Sequence, residues 1–479
     1  MIFNSVAFAV FFPLIAIIYF LLKDKYRNIW LLAGSYFYYM SQEPYYLLLL
    51  LASTISTYVL GRTMDRFRGK TAVMRTAAAA GILFNIGLLV FFKYFGFITE
   101  IFSVKTDFKV VLPVGISFYV FQVVGYLIDV YRGDIEAEKN FIDYALFVSF
   151  FPQLLAGPIG RAGKLLGQFR EKHDFDYDRV RHGLFRMLFG YFMKLVISNR
   201  LAIVTDLIYG NYGECTGYQL LLGTIAYAFQ IYCDFSSYSA IAIGAAEILG
   251  ITLTENFRQP FFAVSCQDLW KRWHISLNAW FRDYLYFPLG GSRKGTIRKY
   301  FNTLVIFTAS GLWHGAAWTY VVWGLLSGIF QVMGYILKPV RLAAAERIPF
   351  KGNFYEKFSH SLSVLVTFLL FLASLVFFKS ASLDAAIEIE KRIFLAFDPK
   401  SVLTTSLFSL GLGTLNFVIL LFALVILFAY DLLNERTGDA AGIILQQTGG
   451  RRWAVYYLLT LLIIGSANIG ASQFIYFNF

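Results

Sequence analysis

Three runs within Glu255–Gly324 decide how the chain is read: ENFRQPFF (Glu255–Phe262), DLWKRWHISLNAWFRDYLYFPLGG (Asp268–Gly291) and ASGLWHGAAWTYVVWG (Ala309–Gly324). They hold two of the five histidines, His274 and His314, each preceded directly by Trp. No window from Thr252 to Tyr300 is apolar enough to cross a bilayer. The apolar run Phe301–Leu337 follows, with room for two helices around the WHG turn. One histidine therefore belongs to a basic-aromatic segment, the other to the interior of an apolar stretch.

Outward from this region the chain is uniformly apolar. Of 479 residues 58% are hydrophobic and 15% charged, against about a quarter charged in soluble domains. This composition predicts an all-α polytopic membrane protein forming one integral membrane domain over residues 1–479, with 255–324 as its core motif region. The net charge of +12 is spread through short loops between apolar runs, as in positive-inside membrane proteins, and excludes a concentrated nucleic-acid patch. Met1–Leu22 lacks a basic leader and a small-residue cleavage site, so it reads as a retained first span. Cys215, Cys233 and Cys266 are far apart and form no C-x-x-C pair, which supports neither a disulfide framework nor a zinc site.

At roughly 20 apolar residues per crossing, hydropathy suggests about eleven or twelve spans. Trp30–Leu60 reads as two helices broken at SQEP (Ser41–Pro44). The basic loops Lys23–Arg27 and Arg62–Arg75 place the N-terminus outside if both face the cytoplasm. Phe141–Ala156, ending in FFPQLLAGPIGR, reads as a re-entrant segment. Gly217–Gly250 is a long apolar run interrupted by YCDFSSYS. No repeat or pair of matching halves is visible.

Taken as one helix, Trp270–Phe287 sets Trp270, Trp273, Leu277, Trp280, Phe281 and Tyr284 on a common face. Lys271, Asn278 and Arg282 flank that face, with Arg272 and Asp283 behind it, the profile of an amphipathic helix lying in the membrane interface. His274 falls within the aromatic face. It is either packed among aromatics with one ring nitrogen satisfied, or turned inward at the cytoplasmic mouth of a cavity. His314 carries more weight, because an ionisable side chain inside an apolar run normally faces a bundle interior or a wet cavity. Gly311 and Gly315 beside it leave room for a backbone or a substrate. A neutral imidazole there could serve as a general base, and the competing reading is an inter-helix hydrogen bond. Asp234 with Ser236, Ser237 and Ser239 is either a cavity lining or a helix–helix network. Glu255, Asn256 and Arg258 read as ordering the start of the polar segment. A lone His without a second His or a carboxylate nearby is a poor metal site.

These runs resemble the membrane-bound O-acyltransferase superfamily, and within it the branch of alginate O-acetyltransferase membrane subunits. LPVGISFYVFQ (Leu112–Gln122), FFPQLLAGPIGR (Phe150–Arg161), QIYCDFSSYSAIAIG (Gln230–Gly244) and FIYFNF (Phe474–Phe479) match that branch as well, so the likeness covers nearly the whole chain. The D-alanyl transferases of teichoic-acid modification are a sister branch, and YLYFPLGGSRKG favours the alginate type. The resemblance implies a ring of helices around a thinned, tunnelled centre. It maps the family's buried histidine onto His314 and its second histidine onto His274.

It also implies acetyl-CoA as donor substrate with no permanently bound cofactor. The donor would enter from the cytoplasm past Trp270, Arg272, Asn278, Arg282, Asp283 and Trp313, where bases suit the CoA phosphates. Implied too are an SGNH-type, esterase-like partner that esterifies an extracytoplasmic polysaccharide, and a location in the bacterial cytoplasmic (inner) membrane. In this scheme His314 deprotonates an acceptor hydroxyl, and His274, a Trp N–H or a backbone N–H steadies the oxyanion. Tyr476 is a carrier candidate, with an interfacial tyrosine as the plainer reading. D-alanyl transfer is the alternative within the enzyme class. A polysaccharide or lipid transporter would be expected to show matching broken-helix repeats. A non-catalytic scaffold would tolerate loss of His314.

Overall fold

A computed structural model describes residues 1–104, 110–346, 352–404, 410–467 and 474–475. These residues form helices and turns, with no strand among them. Such a fold suits an apolar solvent, because a helix satisfies its own backbone hydrogen bonds. Among the described residues six helices are long and apolar enough to cross a membrane: Tyr46–Arg66, Thr71–Ile101, Tyr177–Gly210, Trp318–Arg341, Asn353–Lys379 and Gly413–Thr437. The remaining apolar stretches form shorter or more polar helices, among them Val6–Leu21 and Ile116–Arg132. The eleven or twelve crossings expected from hydropathy thus divide between full-length spans and these shorter pieces.

The chain groups into two compact units, Met1–Tyr191 with Ser237–Glu255, and Phe192–Ser236 with Asn256–Phe479. In the first, SQEP ends Asp24–Met40 before Tyr46–Arg66 begins, as its turn residues predict. Phe141–Ser149 and Phe151–Leu154 are two short helices, the first buried from Asp143 onward and the second throughout. In the first of them the Tyr144 hydroxyl donates to Thr57 Oγ1 at 2.7 Å and Asn28 Nδ2 donates to Asp143 at 2.8 Å. Glycines allow close helix crossing here too. A Cβ on Gly183 would lie 2.7 Å from the Gly244 carbonyl oxygen, the small-residue packing that membrane helices favour.

The second unit carries both motif histidines. YCDFSSYS does not interrupt its helix, which runs unbroken over Gly217–Ile248. The reason is that Asp234 is fully paired: Lys194 Nζ donates to it at 2.5 Å, Ser198 Oγ at 3.1 Å and the Ile475 backbone N–H at 2.7 Å. Lys194 also lies 4.5 Å over the Phe474 ring. Of the two earlier readings of Asp234, the polar network between segments is the one observed. The WHG turn separates Thr296–His314 from Trp318–Glu346, and the two form a tight hairpin. A Cβ on Gly311 would stand 2.2 Å from the Tyr320 carbonyl oxygen, and one on Gly324 would stand 2.3 Å from that of Phe307. Gly315 faces the Tyr320 ring at 2.1 Å by the same measure. The space beside His314 that the sequence left open is thus filled by the partner helix and Tyr320. Outward, Gly413–Thr437 exposes Leu415, Val418, Phe422, Val425 and Phe428, an apolar face fit for lipid.

Candidate active site

Trp270–Phe287 is not one helix. Cys266–Arg272 ends at Trp273, His274 takes a left-handed backbone (φ 45°, ψ 53°), and Ile275–Phe281 starts afresh before a π-helical turn, Arg282–Tyr286. A left-handed conformation is unfavourable for a residue with a Cβ, so the break must be held by its surroundings. Asn278 Nδ2 donates to the Trp270 and Trp273 carbonyls at 3.0 and 2.6 Å. The extended segment Asn256–Arg258 is stitched alongside, Arg258 N–H to the Arg272 carbonyl and Ile275 N–H to the Asn256 carbonyl, both at 2.9 Å. The single-helix wheel fails at this break. Trp273, Leu277, Trp280, Phe281 and Tyr284 are buried inside the protein, so this aromatic face packs against the fold.

The break turns His274 inward, leaving it 1% exposed; His314, the last residue of its helix, is 3% exposed. Their ring centroids are 6.4 Å apart. Trp313 stands beside both, 5.8 Å from His274 and 5.0 Å from His314. Phe235 stands edge-on to His274 at 4.6 Å, while Trp323 and Phe378 stand edge-on to His314 at 5.1 and 5.3 Å. Burial pushes the pKa of His274, which lies outside the spanning helices, from its ordinary 6.5 down to about 3. Its imidazole is therefore neutral in the physiological range. Two buried imidazoles in an aromatic enclosure can accept and return protons, and the enclosure strengthens any dipole aimed at developing charge.

Of the other sequence candidates, Trp270 and Trp313 belong to this aromatic wall, with Trp270 5.8 Å from Trp323. Arg272 is bound to Asp268 at 3.0 Å and Glu435 at 2.6 Å, tying the short helix to the end of Gly413–Thr437. Asn278 is engaged by the turn carbonyls. Arg282, 58% exposed in its side chain, pairs with the adjacent Asp283 at 2.8 Å. Tyr476 lies outside the described residues.

Trp323, Ser327 and Gln331 did not stand out in sequence, yet they share one face of Trp318–Glu346 at i, i+4 and i+8. All three are buried, and Trp323 Nε1, Ser327 Oγ and Gln331 Oε1 have no hydrogen-bond partner among the described residues. Gln267 Nε2, buried and also without a partner there, lies 3.3 Å from where a Gly334 Cβ would stand. Elsewhere in the chain helical hydroxyls bond back to the carbonyl four residues earlier, as at Ser35, Thr54, Thr303 and Thr367. Ser327 does not. A row of unsatisfied buried polar atoms is costly unless something else meets it. The W-x₃-S-x₃-Q spacing was the available signal. Among the described residues no group of three or more His, Cys, Asp or Glu could hold a metal ion.

Residues 135–375, which include both histidines, match the MBOAT, membrane-bound O-acyltransferase family. The "Probable alginate O-acetylase AlgI" of Pseudomonas putida is 35% identical over 408 residues, 82% of this chain and 80% of that protein. The "Peptidoglycan O-acetyltransferase" of Helicobacter pylori is 32% identical over 428 residues, 82% of this chain and 79% of its own. The "Teichoic acid D-alanyltransferase" of Bacillus subtilis is 29% identical over 239 residues, 45% and 57% of the two chains. With its apolar spanning helices, the chain belongs to the membrane-bound O-acyltransferase family and is a multi-pass membrane O-acyltransferase.

Proposed function

We propose that the chain passes an acetyl group from cytoplasmic acetyl-CoA, at His314, to an extracytoplasmic hydroxyl for O-acetylation of a bacterial cell-surface polysaccharide. The observation that carries this reading is His314 itself, a buried imidazole beside a second buried imidazole and edge-on to the Trp323 ring. His314 takes the proton of the acceptor hydroxyl as its oxygen attacks the thioester carbonyl. The new C–O bond forms a tetrahedral oxyanion, toward which Trp323 Nε1–H donates. Collapse breaks the C–S bond, and His314 returns the proton to the departing thiolate, leaving the ester, the free thiol and a neutral imidazole.

The Ser327–Gln331–Gln267 row supports the donor's approach. Its donors and acceptors suit the amides of a pantetheine arm and offer nothing to a fixed charge. In this reading the row, and not the Arg282 face, guides the donor. The acceptor is a hydroxyl of a separate esterase-like SGNH partner working at the outer face of the cytoplasmic membrane. Acetyl transfer is favoured over D-alanyl transfer because the acetyl-transferring relatives match over 82% of the chain and the D-alanyl relatives over 45% and 57% of it. In cells that acetylate their polysaccharide, His314→Ala is expected to abolish polymer acetate while the protein remains folded in detergent. Near-normal acetate would remove His314 from the chemistry and favour a scaffold role.

A further inference from the structure

The left-handed turn at His274 is held by a residue that the mechanism above does not use. Asn256 is fully buried. Its backbone carbonyl accepts from Ile275 N–H at 2.9 Å. Its side-chain Oδ1 accepts from Ser276 N–H at 3.2 Å and the Ser276 hydroxyl at 2.7 Å, and faces His274 Nδ1 at 3.4 Å. The side chain thereby caps the Ile275–Phe281 helix, whose own N-cap residue, His274, makes no side-chain cap bond.

An amide can be built either way round, and an imidazole proton sits on one nitrogen or the other. Here a backbone group fixes both choices. Ser276 N–H can only donate, so the amide atom facing it is oxygen. The same oxygen faces His274 Nδ1, and an oxygen acceptor opposite a neutral ring nitrogen requires that nitrogen to carry the hydrogen. We propose that Asn256 is a positioning residue that holds His274 as its Nδ1–H tautomer, with the lone pair on Nε2. The orienting hydrogen bond on one ring nitrogen decides what the other can do. Neutral His274 therefore accepts at Nε2 and does not donate there. Of the two roles open to it, it joins His314 on the proton-accepting side, and oxyanion stabilisation falls to another N–H. The tautomer follows from the hydrogen bonds alone; only its kinetic consequence rests on the proposed function.

The test uses full-length protein in lipid nanodiscs with ring-¹⁵N-labelled histidine, the His274 signals being assigned by their loss in His274→Gln. The expected spectrum shows a protonated, pyrrole-type Nδ1 and an unprotonated, pyridine-type Nε2. A pyrrole-type Nε2 overturns the inference whatever reaction the protein performs. Asn256→Asp keeps an acceptor at the same place and is expected to keep the Nδ1–H form. Asn256→Leu removes the acceptor and is expected to lose the preference for Nδ1–H and to lower kcat about tenfold or more with the donor KM unchanged. A wild-type kcat in folded Asn256→Leu contradicts the positioning role. A normal tautomer in a protein that moves no acetyl group instead counts against the proposed function alone.

Discussion

Replacing Trp323 by Phe separates chemistry from packing in this site. The substitution removes the indole N–H, buried beside His314 with no partner among the described residues, and keeps an aromatic ring against His314, Trp270 and Phe378. If Nε1–H donates to the oxyanion, its loss costs about 2.7–4 kcal/mol of transition-state stabilisation, or 10²–10³ in kcat. The donor KM should hold, because the bond forms only in the transition state. Stability changes little, by about 1 kcal/mol at most in either direction. Deleting a buried unsatisfied N–H recovers about 1–3 kcal/mol, while the smaller ring gives up roughly 2 kcal/mol of apolar contact at ~0.8 kcal/mol per methylene-sized group. Single-turnover transfer from labelled acetyl donor gives the rate, and thermal unfolding in detergent gives the stability. A Trp323→Phe protein that turns over at the wild-type rate refutes the assignment of Trp323. One that loses rate only in step with unfolding reduces it to packing.

Other outcomes follow from the same geometry. Asp234→Ala removes the buried carboxylate to which Lys194 Nζ donates, a loss of about 3–5 kcal/mol. It should lower the unfolding temperature sharply, and Lys194→Met added to Asp234→Ala should restore part of it. Arg282→Ala should leave the acetyl-CoA KM unchanged, because that guanidinium is exposed and occupied by Asp283; a raised KM would return the donor entrance to this face. The depressed His274 pKa, about 3 against 6.5, means that the unfolded chain binds a proton the folded chain refuses. That contribution to stability is complete above the unfolded value and is lost as pH falls below it. Unfolding temperature should therefore drop progressively as pH falls from 6.5 towards about 3, and less steeply in His274→Gln.

Much of this was legible in the sequence, for reasons that differ between elements. The WHG hairpin and the SQEP turn were readable because Gly and Pro interrupt long apolar runs and hydropathy registers such breaks directly. His314 was readable because a titratable side chain in an apolar run has few acceptable surroundings. Trp270–Phe287 misled because its 3.6-residue periodicity continues through His274. The break there is imposed by Asn256 and Asn278, tertiary contacts that no window of local pattern contains. The same limit explains YCDFSSYS, whose polarity fitted a cavity lining as well as a helix–helix network, because Lys194, Ser198 and Ile475, which bond Asp234, are distant in sequence. Trp323, Ser327 and Gln331 escaped notice because each is unremarkable alone in a spanning helix. Their meaning appears only when their polar atoms are found buried and unmatched on one face.

The central claim is that His314 carries acetyl transfer, and it is tested most directly in proteoliposomes containing the purified protein and an esterase-like acceptor partner. Labelled acetyl-CoA is supplied on the cytoplasmic side, with D-alanyl carrier protein in a parallel reaction, for wild type and for folded His314→Gln. The account predicts acetyl label on the acceptor with wild-type protein, none with His314→Gln, and no transfer from the D-alanyl donor. Acetyl transfer at a wild-type rate by His314→Gln, or transfer from the D-alanyl donor alone, would contradict it.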